Sequence, residues 1–199
     1  MIWGVGTGRC GTKSLAEDLG GVHEPQPWLG EDAILCHYGD KAARSRTMDK
    51  LRERLQARKP CVDLKHSWLI PEILEVDPGA MFIWVIRRPT QCVHSFLAGG
   101  SWTERDFYGT RKWYPRAGWP DDFTRFDRAC EYWREVNMMI WEERNACPGR
   151  FGVIQTERLV NHQNKYPERI RYEFSDEEIN ELQLLEILHD AMVTPSAKR

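Results

Sequence analysis

Residues 2–14, Ile2-Trp3-Gly4-Val5-Gly6-Thr7-Gly8-Arg9-Cys10-Gly11-Thr12-Lys13-Ser14, pass from an apolar run into glycines, basic side chains and hydroxyls. The run 2–6 reads as a buried strand. After the loop, Leu15, Ala16 and Leu19 share one helical face, and Gly20-Gly21 closes that helix. The opening unit is therefore strand, glycine-bearing loop, helix. Loop N–H groups and the positive end of a helix make such a unit an anion site. Gly6, Gly8 and Gly11 let the backbone approach an anion, Thr12 and Ser14 add hydroxyls, and Arg9 and Lys13 add charge.

Outward from this unit, strands and helices alternate. A charged helix is expected over 41–59, with Met48, Leu51 and Leu55 at helical spacing, stopped before Pro60. Cys61-Val62-Asp63-Leu64-Lys65 reads as a strand, and a short helix follows with Pro71 in its first turn. Met81-Phe82-Ile83-Trp84-Val85-Ile86 is apolar without alternation, the pattern of a parallel strand covered on both faces. A helix from about 90 to 98, a long helix over 121–145 and a strand at 151–155 come next. The last helix opens on the capping box Ser175-x-x-Glu178 and carries Ile179, Leu182, Leu185 and Leu188 as its stripe. The expected fold is α/β: one three-layer, P-loop-like domain over 1–199, with a central parallel sheet flanked by helices.

The chain has 199 residues, enough for a hydrophobic core, and 41% of them are hydrophobic. A net charge of −2 gives no global reason to bind nucleic acid or an anionic membrane, so local basic clusters must carry anion binding. Six cysteines form no C-x-x-C pair, which argues against zinc and for free thiols in a reducing compartment. No basic, apolar leader and no membrane-length apolar run is present, so a soluble cytoplasmic protein is expected. Most of the nine tryptophans are expected in the core.

The loop is not a Walker A motif. Gly6 and Gly11 have the required spacing, but Thr12 stands where lysine is needed, and Lys13-Ser14 come one residue late. The pattern G-x-x-R-x-G-T-x-S after a first strand instead resembles the 5′-phosphosulfate loop of sulfotransferases that use 3′-phosphoadenosine 5′-phosphosulfate (PAPS). A second motif agrees. The family carries an arginine at the end of a central strand, then x-Pro, then a serine eight residues after the arginine. Arg87, Pro89 and Ser95 occupy those places. The resemblance covers roughly residues 1–100 and implies that Gly8, Arg9, Cys10, Gly11, Thr12, Lys13 and Ser14 hold the 5′ end of the cofactor. It implies that Arg87 and Ser95 hold the 3′-phosphate, with Arg88 either a second ligand or a solvated neighbour.

The same resemblance implies in-line attack of a hydroxyl or amine on sulfur, with adenosine 3′,5′-bisphosphate leaving and no metal required. Arg9 is the candidate for the bridging oxygen, Lys65 for the sulfuryl oxygens, and Lys13 for neutralising the 5′-phosphate. A hydroxyl acceptor also needs a general base. Glu24, just after the first helix, occupies a place comparable to a catalytic glutamate of some family members. His66 follows Lys65 directly, whereas the small-molecule branch has Lys-x-His. Both stand as candidates, with Glu24 favoured. The segment 101–120, with Trp102, Phe107, Tyr108, Trp113, Tyr114 and Trp119, either covers a small-molecule, carbohydrate or peptide acceptor or packs on its own aromatics. The basic, glycine-bearing C-terminal segment of many family members has no clear counterpart; Lys198-Arg199 end the sequence. The competing readings are a P-loop nucleotide or small-molecule kinase and a non-catalytic nucleotide-binding module.

Overall fold

A computed structural model describes residues 1–98, 123–156, 159 and 173–194. Their contacts group into two compact units, Met1–Ile86 with Val136–Gln163, and Arg87–Glu135 with Asn164–Arg199.

The first unit contains the whole sheet. Its strands are β1 (Ile2–Val5), β2 (Val22–His23), β3 (Cys61–Val62), β4 (Met81–Ile86) and β5 (Phe151–Gln155), in the order β2-β3-β1-β4-β5. Every pairing is parallel: Gly4 lies opposite Val62 on one side of β1 and opposite Ile83 on the other, and Trp84 opposite Val153. The expected parallel α/β sheet is therefore present. Trp3, Val5, Phe82, Trp84, Val85 and Ile86 are all but inaccessible, which is why β1 and β4 read as unbroken apolar runs. The order runs one way from β1 to β2 and the other way from β4 to β5. In such sheets ligands bind beyond the carboxyl ends of the strands where that reversal occurs, here β1 and β4.

The helices of this unit are α1 (Thr12–Asp18), α2 (Gly30–His37), α3 (Lys41–Gln56), α4 (Ile70–Val76) and the second half of α6 (Arg125–Ala146). Gly20, at φ +60°, closes α1 with N–H bonds from Gly20 to Glu17 O and from Gly21 to Ala16 O. Asp40 caps α3 by accepting from the Ala43 N–H at 2.7 Å. Asn137, a polar residue on the inner stripe of α6, is explained by Trp84, whose Nε1 donates to Asn137 Oδ1 at 3.1 Å.

Two expected elements need correction. The strand at 61–65 is only two residues long. Asp63 Oδ1 accepts from the Lys65 N–H at 2.9 Å and turns the chain into a 3-10 turn over Leu64–Trp68. Helix α6 starts at Arg125, because Thr124 and Asp127 bond each other reciprocally through side chains and backbone. Short β2 and helix α2 went unread, since two residues and a Pro-rich approach carry no periodicity.

The second unit holds α5 (Pro89–Ala98), the first half of α6 and α7 (Asp176–Val193). Helix α7 has the expected capping box at Ser175 and Glu178. Its buried stripe is Leu182, Leu185, His189 and Met192, whereas Ile179 is exposed, so the inner face turns away from the expected one at both ends. Cys92, Val93, Phe96, Phe126, Ala129, Tyr132 and Trp133 complete the interior of this unit. Of the tryptophans, Trp3, Trp68, Trp84 and Trp133 are fully buried and Trp28 is exposed. No helix among the described residues is long and apolar enough to cross a membrane.

Candidate active site

The loop after β1 is shaped by what it cannot accommodate. A Cβ on Gly6 would lie 2.5 Å from the Val85 carbonyl oxygen of β4, so only glycine lets the two strand ends approach so closely. Ser67 clasps the same residue: its hydroxyl accepts from the Gly6 N–H at 2.9 Å and donates to the Gly6 carbonyl at 3.0 Å. The chain then bends through Arg9 at φ +62° and Gly11 at φ +94°, both left-handed. Alternating conformations of this kind turn successive N–H groups to one side, the geometry of an anion cradle. Gly11 is also the N-cap of α1 and brings no side chain to cover its first turn.

The Cys10 side chain turns the other way. It is fully buried against Leu15, Ala16, Val62 and Val85, and its thiol donates to the Thr7 carbonyl. Its thiol is therefore directed into the core and away from the loop's N–H groups. The Thr156 hydroxyl donates to the Cys10 carbonyl and sits 3.2 Å from the Ile86 carbonyl, fastening the loop to the end of β4. Thr12 is buried, with its hydroxyl 3.1 Å from His23 Nε2, while Lys13 is exposed and Ser14 half-buried.

Two more strand ends deliver the charged candidates. Glu24 follows β2 in a left-handed conformation, φ +45°, held by its N–H on the Val62 carbonyl at 2.8 Å. Its half-buried carboxylate lies 4.0 Å from His23 Nε2. Lys65, in the 3-10 turn after β3, is 7% exposed. Burial pushes its ammonium down to about 8, while the carboxylates of Asp63 and Glu24 pull the other way. Arg9, Thr12, Glu24 and Lys65 thus hang from the carboxyl ends of β1, β2 and β3.

His66 does not join them. It is wholly buried, and burial above all pushes its imidazole down to about 4. Nδ1 lies 3.1 Å from the Gly4 carbonyl, an acceptor only, so Nδ1 carries the proton. Nε2 accepts from Arg54 Nη1 at 2.9 Å. Both ring nitrogens are committed inside the fold, and the candidacy of His66 as general base is withdrawn on that geometry.

In the second unit, Arg87 follows β4 directly and Ser95 sits half-buried on α5. The Arg87 carbonyl accepts from Trp133 Nε1 at 3.1 Å, and its own Nε donates to Gln91 Oε1 at 3.3 Å. Arg88 pairs with Glu186 of α7 at 2.9 Å, and the Thr90 hydroxyl donates to the same carboxylate at 2.7 Å. Arg88 is thereby tied to α7. Trp102, Phe107, Tyr108, Trp113, Tyr114, Trp119, Lys198 and Arg199 lie outside the described residues.

Ser67, Thr156 and Arg54 are the residues that sequence reasoning passed over. Ser67 and Thr156 carry no local signal, because their partners are distant in sequence. Arg54 did carry one: with Ala43, Thr47 and Leu51 it falls on the buried stripe of α3, where a charge demands a reason. Among the described residues no cluster of His, Cys, Asp and Glu is suited to a metal ion.

A family model described as the sulfotransferase family matches residues 11–181. The match begins at Gly11, within the loop, and runs past α5 and α6 into α7. No curated protein matches the chain.

Proposed function

The chain belongs to the sulfotransferase family, whose function is sulfuryl transfer from PAPS, and from that premise we propose the following division of labour. The loop Gly8–Ser14 holds the 5′-phosphosulfate end of the donor, and Arg87 with Ser95 holds the 3′-phosphate. When bound, the donor supplies an activated sulfuryl group and a stable bisphosphate leaving group. The observation that carries this reading is the loop itself: left-handed Arg9 and Gly11 ahead of a helix start without a side-chain cap, with the thiol of Cys10 turned away.

The acceptor hydroxyl loses its proton to Glu24 as its oxygen bonds to sulfur and the bridging S–O bond breaks. Glu24 is the carboxylate at a strand end beside the loop, and its half-buried state leaves it open to an acceptor. Arg9 stabilises the negative charge that grows on the bridging oxygen. Lys65, charged at neutral pH because its value lies near 8, stabilises the sulfuryl oxygens. Lys13, exposed on α1, balances charge on the 5′-phosphate at longer range. The acceptor is a small molecule, carbohydrate or peptide bearing a hydroxyl or amine. Six free cysteines, five of them buried, suit the reducing compartment expected for a cytoplasmic enzyme.

Calorimetry with adenosine 3′,5′-bisphosphate and with ATP tests the cofactor reading. Micromolar binding of the bisphosphate and weaker binding of ATP are expected. Tight ATP binding with none of the bisphosphate overturns it in favour of a kinase. Transfer of label from PAPS across a panel of acceptors then identifies the product.

A further inference from the structure

The Arg54 side chain is almost wholly enclosed, 1% exposed. It makes four bonds in two pairs. Nη1 donates to Asp63 Oδ2 at 3.0 Å and to His66 Nε2 at 2.9 Å. Nη2 donates to the carbonyls of Pro25 at 2.8 Å and Pro27 at 3.0 Å. The first pair lies in the turn that carries Lys65, and the second in the segment that follows Glu24.

The arrangement is more than a buried ion pair. One Asp63 carboxylate would satisfy the charge, and the cost of burying it would have to be met by that contact alone. Here the planar fork joins the two segments that directly follow β2 and β3, paired strands of only two residues each. On the other side the fork meets the backbone carbonyls of Pro25 and Pro27, acceptors on either side of Gln26. Lysine could not reproduce the fork, because its ammonium is a single point of donation.

We propose that Arg54 is a positioning residue for sulfuryl transfer, fixing Glu24 relative to Lys65 by tying the segment 25–27 to the turn at 63–66. The proposal rests on the assignment of Glu24 and Lys65 above. Arg54 touches neither donor nor acceptor: it acts through the backbone on one side and through Asp63 and His66 on the other. His66 belongs to the same device. Its neutral ring passes the constraint on to the Gly4 carbonyl of β1, the strand that leads into the loop.

The test compares wild type with Arg54→Lys, which keeps a positive charge opposite Asp63 and loses the fork. Expected results are a fall in kcat of at least tenfold and an affinity for adenosine 3′,5′-bisphosphate within threefold of wild type. Amide hydrogen exchange at Glu24, Gln26 and Trp28 should quicken at least tenfold while the amides of α1 stay unchanged. Parallel loss of kcat and bisphosphate affinity, or unaltered exchange at those amides, overturns the proposal. Should Arg54→Lys not fold, Arg54→Gln, which keeps one amide donor in place of the fork and leaves Asp63 beside Lys65, is judged by the same readouts. Glu24→Gln in the otherwise native chain separates the two ideas. If that variant turns over normally, the base assignment fails, and exchange still decides whether Arg54 holds the segment.

Discussion

Lys65 offers a perturbation whose size follows from its surroundings. Burial is the main cause that lowers its value from 10.5 to about 8, and Asp63 and Glu24 recover only part of the loss. That difference corresponds to about 3 kcal/mol between ammonium and amine in the folded protein relative to the unfolded chain. The folded value lies below the unfolded one. Below pH 8 both states hold the proton, and the folded state carries the whole cost of a buried ammonium. Between pH 8 and 10.5 the folded state sheds the proton that the unfolded chain still binds, so this group's contribution to stability improves as pH rises through that window. Cys36 and Cys61, pushed up to about 12 by burial, act in the opposite direction once the unfolded thiols ionise near 9. A comparison with Lys65→Met cancels them. The unfolding free energy of wild type minus that of Lys65→Met, measured by urea titration, should rise by about 3 kcal/mol between pH 7 and 10.5. A flat difference across that range would refute the account of Lys65 as a buried, destabilised cation.

The same value fixes an activity profile. If Lys65 must be charged to steady the sulfuryl oxygens, kcat/KM should fall about tenfold per pH unit above 8, the slope of a single deprotonation. Lys65→Arg, which stays charged, should lose that alkaline limb whatever its absolute rate. An alkaline limb near 8 that survives in Lys65→Arg assigns it to another group.

Three further substitutions probe the loop and the base. Glu24→Gln should lower kcat by about 100-fold or more, the usual scale of general-base removal, with bisphosphate affinity unchanged by calorimetry. Gly11→Ala should destabilise by about 1–3 kcal/mol in urea, because alanine is strained in the left-handed region; the added Cβ would also stand 3.1 Å from Leu159 and Thr156. Bisphosphate binding should weaken with it, since the strain is in the cradle. Thr156→Val should cost about 1–3 kcal/mol by withdrawing the hydroxyl from the Cys10 and Ile86 carbonyls. A Thr156→Val variant as stable as wild type would mean that this hydroxyl does not fasten the loop.

The sheet could be read in the sequence because its central strands announce themselves. Residues 2–5 and 81–86 are apolar without alternation, and a strand buried on both faces needs such a run. The loop was readable for a related reason: glycine at 6 and 11 marks positions where backbone geometry forbids a side chain, and that mark is local. What could not be read was whatever depends on contacts far along the chain. Ser67 reaches Gly6 across 61 residues and Thr156 reaches Cys10 across 146, and neither spacing leaves a pattern. The edge strand β2 escaped because two residues cannot show a period. The inward turn of the Cys10 thiol likewise depends on Val62 and Val85, which arrive from other strands.

The adjacency of Lys65 and His66 shows why a motif read by spacing alone misleads. In a strand, neighbours point to opposite faces and a residue two places on returns to the first face, so Lys-x-His would aim both side chains into one cleft. Here the chain leaves β3 after Val62 and enters a 3-10 turn, in which successive side chains stand about 120° apart. Three consecutive residues then serve three directions. Lys65 lies within the electrostatic reach of Glu24, His66 reaches the Gly4 carbonyl and Arg54, and Ser67 clasps Gly6. The missing spacer is thus not a one-residue slip of a catalytic pair. It reflects a different turn, which spends the histidine on holding β1. Under the proposed assignment, Glu24 is the group on which the activity turns. Its substitution should be felt in kcat alone, whereas changes at His66 or Ser67 should be felt first in stability.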